Sequence, residues 1–176
     1  MKKNKLKLII FPLLSFILIP SFPKDTFAEE SKLSEEKRGL ISQNCGTIRQ
    51  SLKNLQRSDS RARTYFGAIY ETVSSEYLTP LNIRLVKNDM SSVSLINAQS
   101  KLADLRTKFS DNFINYSKSL EELIAHDCRL DPDGFYDKLV STRKKREKVA
   151  EDMNSINELL ISSYKSAEKL METKNE

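Results

Sequence analysis

The sequence predicts an all-α fold, an elongated up-down-up three-helix bundle with coiled-coil-like packing. Between residues 29 and 176 the only glycines and prolines are Gly39, Gly46, Gly67, Pro80, Pro132 and Gly134, too few to break that length into short elements. Apolar residues recur at helical spacing through three long segments, at alternating steps of four and three in the first and third. In the second, the later steps of three, four and four resemble an eleven-residue period and a straight, broad stripe. One short stretch, Leu81, Ile83 and Leu85, alternates as a strand does, but nothing else in the chain offers it a sheet partner.

The chain opens MKKNKLKLIIFPLLSFILIPSFPKDTFAEE, with four lysines by Lys7, an apolar run over residues 8–22, then Thr26 and Ala28 before Glu29. This is the order of a secretory signal, with cleavage expected after Ala28 and a single helical domain over 29–176. The alternative is an uncleaved membrane anchor. Against it, the run is about fifteen residues long and carries Pro12 and Pro20, whereas a spanning helix needs roughly 20 apolar residues. No cysteine follows the run to take a lipid. Residues 1–28 hold five lysines and one aspartate, so cleavage lowers the net charge from +5 to +1. The basic character therefore belongs to the leader. Without a clustered positive footprint on the mature domain, nucleic acid is not expected as a partner. The expected setting is extracytoplasmic, secreted or envelope-associated.

The first helix is expected over 31–78. Ser31 or Ser34 supplies the N-terminal cap, and Pro80 disfavours helix at Thr79 before it. Its seam runs Ile41, Cys45, Ile48, Leu52, Leu55, Asp59, Ala62, Phe66, Ile69 and Val73, apolar except at Asp59. Tyr65, Tyr70 and Tyr77 flank it as shoulders of the core. Residues 81–89 are a connector or a short helix. The second helix is expected over 91–127, with Val93, Ile96, Leu102, Leu105, Phe109, Phe113, Tyr116, Leu120 and Ile124 inward. The third is expected over 132–171, with Phe135, Leu139, Thr142, Arg146, Val149, Met153, Ile156, Leu160, Ser163, Ala167 and Leu170 on its seam. METKNE is a frayed end.

An antiparallel first pair turning near Arg84 brings Cys45 and Cys128 to similar heights, and two cysteines in an exported chain favour a disulfide between them. The alternative is two buried free thiols. Asp59 and Arg146 interrupt otherwise apolar rows at matching distances from the same end of the bundle. They are expected to form a buried cross-helix ion pair that fixes register, unless Asp59 tips to solvent beside Arg63.

The stretch IAHDCRLDPDGFYD, residues 124–137, concentrates the only histidine, one cysteine and four aspartates. His126 and Cys128 are two residues apart, which on a helix points them about 200° from each other, so no Cys-His dyad forms locally. Aligned as a calcium loop, the stretch places Arg129 and Val140 at the two end ligand positions, where carboxylates are needed. No metal, cofactor or catalytic residue is expected. Asp131, Pro132 and Asp133 instead suit a helix N-terminus. Asp127 opposes the dipole of the preceding helix and is expected to find Arg49, while His126 lies exposed or tipped over the corner. The run RKKREK contributes Arg143, Lys144, Lys145, Arg146 and Lys148, either as a solvated helical face or as a patch for anionic lipid headgroups or wall polymer.

At SDSRARTYFGAIYE, LEELIAHDCR and FYDKLVSTRKKR the chain resembles small exported helical proteins of unassigned function from host-dependent bacteria with reduced genomes. The resemblance implies an envelope or surface setting and carries over no activity. The expected function is a non-enzymatic structural or protein-interaction module of the bacterial cell envelope, stapled by one disulfide, whose partner is another envelope or surface protein. The alternative is a carrier for a lipid or other apolar ligand in the bundle core.

Overall fold

The computed structural model describes residues 33–88, 90 and 93–172, with side chains to residue 170. The expected signal segment and the final four residues lie outside this set. Among the described residues the structure is all-α: α1 Glu35–Thr72, a π-helical segment Val73–Leu78, α2 Thr79–Lys87, α3 Val93–Ala125 and α4 Pro132–Glu172. No described helix is long and apolar enough to cross a membrane. At about 1.5 Å rise per residue, the 41 residues of α4 extend about 60 Å.

Ser34 caps α1, its side chain accepting from the Lys37 N–H, and Glu35 and Glu36 place negative charge in the first turn, where the helix dipole favours it. The expected stop at Leu78 does not occur. Thr79 keeps right-handed helical angles although a proline follows, and the rod continues through Pro80 to Lys87. The widened π turn explains this. A proline inside a regular α-helix collides with the carbonyl four residues back and leaves it without a donor. Over Val73–Leu78 the bonding shifts instead to five-residue steps, with the Thr79 N–H donating to Ser74 O, and the Thr79 hydroxyl donates to the same carbonyl at 2.9 Å. The segment expected as connector or short helix is thus α2, and the link to α3 is confined to residues 88–92.

Side-chain pairings establish the up-down-up order. Asp59 meets Arg146 and Tyr70 meets Asn157 at one sequence offset, 87, so α1 and α4 run parallel. Asp59 meets Tyr116, Glu71 meets Arg106, and Asn82 meets Gln99, so the first rod runs antiparallel to α3. Ser119 meets Thr142 and Lys108 meets Asp152, so α3 and α4 are also antiparallel. The α3–α4 pair makes by far the closest backbone approach, and α1 joins it chiefly through side chains.

The main core holds Cys45, Leu52, Tyr70, Leu102, Phe109, Phe113, Tyr116, Leu120, Leu123, Phe135, Val149 and Ile156. A smaller cluster of Leu85, Leu95 and Ala167 closes the far end, with Leu81, Met90 and Leu170 against it. Two expectations are corrected. Val93 and Ile96 are 67% and 47% exposed while Leu95 is fully buried, so α3 enters the core through Leu95, Ala98 and Leu102. Alternating steps of three and four lead on from these to Leu105 and Phe109, so the start of α3 keeps a heptad period on a neighbouring row. Tyr70, expected at the shoulder, is buried, stacked on Phe66 and edge-on to Phe109, both at 6.1 Å.

The register of α3 is open to a direct check. Leu95→Ala is expected to cost about 2–5 kcal/mol in urea denaturation, the range for truncating a buried leucine, and Ile96→Ala less than about 1 kcal/mol. The reverse order would show that α3 enters the core on the other row.

Candidate functional site

The corner between α3 and α4 is built from carboxylates that answer backbone amides. The last α-helical residue of α3 is Ala125, so Asp127 lies beyond the helix end rather than within it. Its Oδ1 accepts from the Arg129 N–H at 2.9 Å and the Leu130 N–H at 3.4 Å, and its carbonyl accepts from the Asp131 N–H at 3.0 Å. The Arg129 amide is the main reason that the Asp127 pKa is held below its ordinary value. The expected Asp127–Arg49 ion pair does not form. Arg49 contributes to that lowering only through space, because the carboxylate is already committed to the turn.

Asp131 then caps α4. Its Oδ1 accepts from the Gly134 N–H at 2.9 Å, and Pro132 occupies the first helical position. A Cβ at Gly134 would collide with the Asp131 carboxylate, so any other residue there would displace that side chain from the cap. The second carboxylate oxygen lies 3.1 Å from His126 Nε2, and the imidazole leans over Phe135 with ring centroids 6.5 Å apart. His126 therefore pairs with Asp131, away from Cys128.

The same corner is tied to α1. Cys45 and Cys128 are paired as a disulfide with Cα atoms 5.6 Å apart, and both residues are buried. Beside it, Asp133 takes Arg38 Nε at 2.9 Å, the main reason the guanidinium pKa is raised, and Ser42 Oγ donates to Arg129 O at 3.4 Å. With the cysteines 83 positions apart, the chain-entropy model gives about 4–5 kcal/mol of stabilisation, before any strain. Among the described residues, no cysteine is free and no group of three or more His, Cys, Asp or Glu side chains is placed to hold a metal.

Midway along the bundle, Asp59 joins all three long helices. Its carboxylate accepts from Arg146 through Nε at 2.8 Å and Nη2 at 3.0 Å, and from the Tyr116 hydroxyl at 2.6 Å. The pair is not fully buried as expected, because the Asp59 side chain is 15% exposed and that of Arg146 51%. The guanidinium spans the edge of the core. Its hydrogen bonds to Asp59 raise its pKa, against the opposing effect of burial. The alternative Asp59 neighbour, Arg63, sits over the Phe113 ring at 5.3 Å.

The basic run is divided. Arg143 and Lys144 are exposed, Arg146 turns to α1, and Lys145 and Lys148 turn to the α3 side, where they line a recess of about 210 Å³ with Asn112 and Asn115. Next to it lies a residue that the seam did not reveal: Asp152, 1% exposed, bound to Asn112 Nδ2 at 2.6 Å and Lys108 Nζ at 2.9 Å. Asp152 is one position before the seam residue Met153. The residue types alone carry no signal of its burial, and only the three-residue step back from Val149 and Asn112 on the facing helix hint at it.

Asp59 and Arg146 are expected to couple by at least about 1 kcal/mol in a double-mutant cycle of Asp59→Asn and Arg146→Gln, measured by urea denaturation. Additive losses would mean that the pair is a surface accident. Burial pushes the Tyr70 phenol up to about 12, and burial followed by the Asp59 hydrogen bond raises Tyr116 as well. A raised folded-state pKa favours the protonated form, so this contribution is intact below about pH 10, the ordinary tyrosine value, and is lost as pH rises towards 12. Stability is therefore expected to fall steeply above about pH 10, and Tyr70→Phe to flatten that fall. An unchanged alkaline limb in the variant would exclude the buried phenol as its cause.

Comparison of the chain with protein-family models, with curated proteins and with solved structures found no match.

Proposed function

We propose that this protein is an exported, non-enzymatic module of the bacterial cell envelope that acts by presenting its helical faces to another envelope or surface protein. The observation that carries the reading is the Cys45–Cys128 pair, which joins α1 to the α3–α4 turn across a sequence separation of 83 and buries both residues. Disulfides of this structural kind persist in oxidising compartments and are rare where thiols are kept reduced. The leader-like N-terminus and the resemblance to small exported helical proteins agree with that setting. A non-enzymatic role is supported by how the reactive groups are used. Both sulfurs are joined, so neither cysteine serves as a nucleophile in the folded state.

Expression of the full sequence in a bacterium, followed by fractionation and alkylation without reductant, tests the proposal. The expected product is extracytoplasmic, begins at Glu29 and takes up alkylating agent at neither cysteine until it is reduced. Full-length chain held in the cytoplasm and alkylated at both cysteines would overturn it.

A further inference from the structure

The groove between α3 and α4 carries two lysines that neither the fold nor the proposed role uses, facing two asparagines. Asn112 and Asn115 stand three residues apart on α3, Lys145 and Lys148 three apart on α4, and the four line one recess of about 210 Å³. Residues at this spacing share a helix face, so each pair confronts the other across the groove. Lys108, a turn before Asn112, is already neutralised by Asp152 at 2.9 Å. Lys145 and Lys148 are not: among the described residues no carboxylate lies within 4.0 Å of either ammonium, although Glu147 and Glu151 share their helix. Lys145 is half-buried, so an anion reaching it would meet less solvent screening than at an open surface lysine.

The buried Asp152 orients one wall. Asn112 donates its Nδ2 to that carboxylate at 2.6 Å, so the amide has one orientation and keeps Oδ1 as an acceptor. The recess therefore combines two positive donors with at least one neutral acceptor. A bare oxyanion would use only the donors. A molecule with both an oxyanion and free hydroxyls would use both sets. The volume sets a limit on size, being below the roughly 300–1,000 Å³ of pockets that enclose drug-sized molecules.

We propose that Lys145, Lys148, Asn112 and Asn115 form a binding site for a small phosphate ester bearing free hydroxyls, of the glycerol phosphate class. The ammoniums hold the phosphate oxygens, and the carboxamides take the hydroxyls. The same chemistry occurs in a soluble ester and in a phosphatidylglycerol headgroup. The site does not depend on where in the cell the chain resides.

The test is titration of the ¹⁵N-labelled protein, purified after expression of its full sequence, with sn-glycerol 3-phosphate. Saturable shifts are expected at the Asn112 and Asn115 side-chain amides, with a dissociation constant of about 1 mM. Lys145→Gln with Lys148→Gln should weaken binding at least about tenfold. Arg143→Gln with Lys165→Gln removes the same charge from exposed positions of the same helix, and should change affinity less than about twofold. Absence of saturable shifts, or equal weakening in both double variants, overturns the site. Equal affinity for inorganic phosphate overturns the ester assignment. Vesicles separate the two sources: preference for phosphatidylglycerol over phosphatidylcholine, lost with Lys145→Gln and Lys148→Gln, supports the headgroup form, and binding of the ester without vesicle preference supports the soluble one.

Discussion

Asp59 is the carboxylate that the seam of α1 turns towards the core, and both neighbouring helices supply a group to meet it. This interaction selects one register among several that apolar packing alone would accept. If α4 slid by one heptad, Leu139 or Met153 would replace Arg146 opposite Asp59, and the same slip of α3 would offer Leu123 or Phe109 in place of Tyr116. Each is apolar and keeps the seam continuous, as heptad packing requires. None can satisfy a carboxylate. The cost of a slip is thus the cost of stranding a mostly buried charge, which exceeds the modest net gain from making the pair. The bidentate guanidinium geometry adds angular selectivity that a lysine at residue 146 would lack.

With that register set, α1 makes two further attachments to α4. Tyr70 reaches Asn157 one layer along, and Arg38 reaches Asp133 at the base, beside the disulfide. These attachments matter because α1 approaches the α3–α4 hairpin less closely than the hairpin's two helices approach each other. Large side chains fill the extra distance. An aromatic chain from Phe66 through Tyr70, Phe109 and Phe113 to Tyr116 bridges α1 and α3, ending at the hydroxyl that meets Asp59. Tyr116 is both the last ring of that chain and part of the polar layer, and this double role excludes phenylalanine at the position.

The helical class, the three long rods and the inward rows of α1 and α4 were legible because apolar spacing repeats over many turns. The meeting of Asp59 with Arg146 and the nearness of the cysteines were legible for a related reason: two parallel rods starting at one end keep matched heights. What was not legible depended on geometry that no period encodes. The helix passes Pro80 because a π turn absorbs the proline, and nothing in VSSEYLTP announces a wider turn. Val93 and Ile96 are as apolar as Leu95, so composition could not choose between rows at the start of α3. Asp127 was assigned to Arg49 on the assumption that the helix extends to residue 127. It ends two residues earlier, and the carboxylate is satisfied by amides that become free only there.

Asp152 and the neighbouring recess are consequences of interhelical distance. Where two helices approach closely, the arc of each that is removed from water widens, and positions beside the seam become buried with it. On α4 this happens towards α3 and takes in Asp152, whereas Arg146, on the α1 side, stays half exposed. A carboxylate buried in this way must be hydrogen-bonded or paired, and Lys108 and Asn112 meet that need from across the groove. Their side chains are thereby held in place. Lys145 and Lys148 lie along the same narrow groove, where Asp152 is occupied and no other carboxylate comes within ion-pair range among the described residues. The helix pair that packs most closely thus also holds, side by side, two lysines that make no ion pair among the described residues. This follows from the three-residue spacing of the lysines meeting that of the asparagines at close range, since the same residues on helices set farther apart would face only solvent.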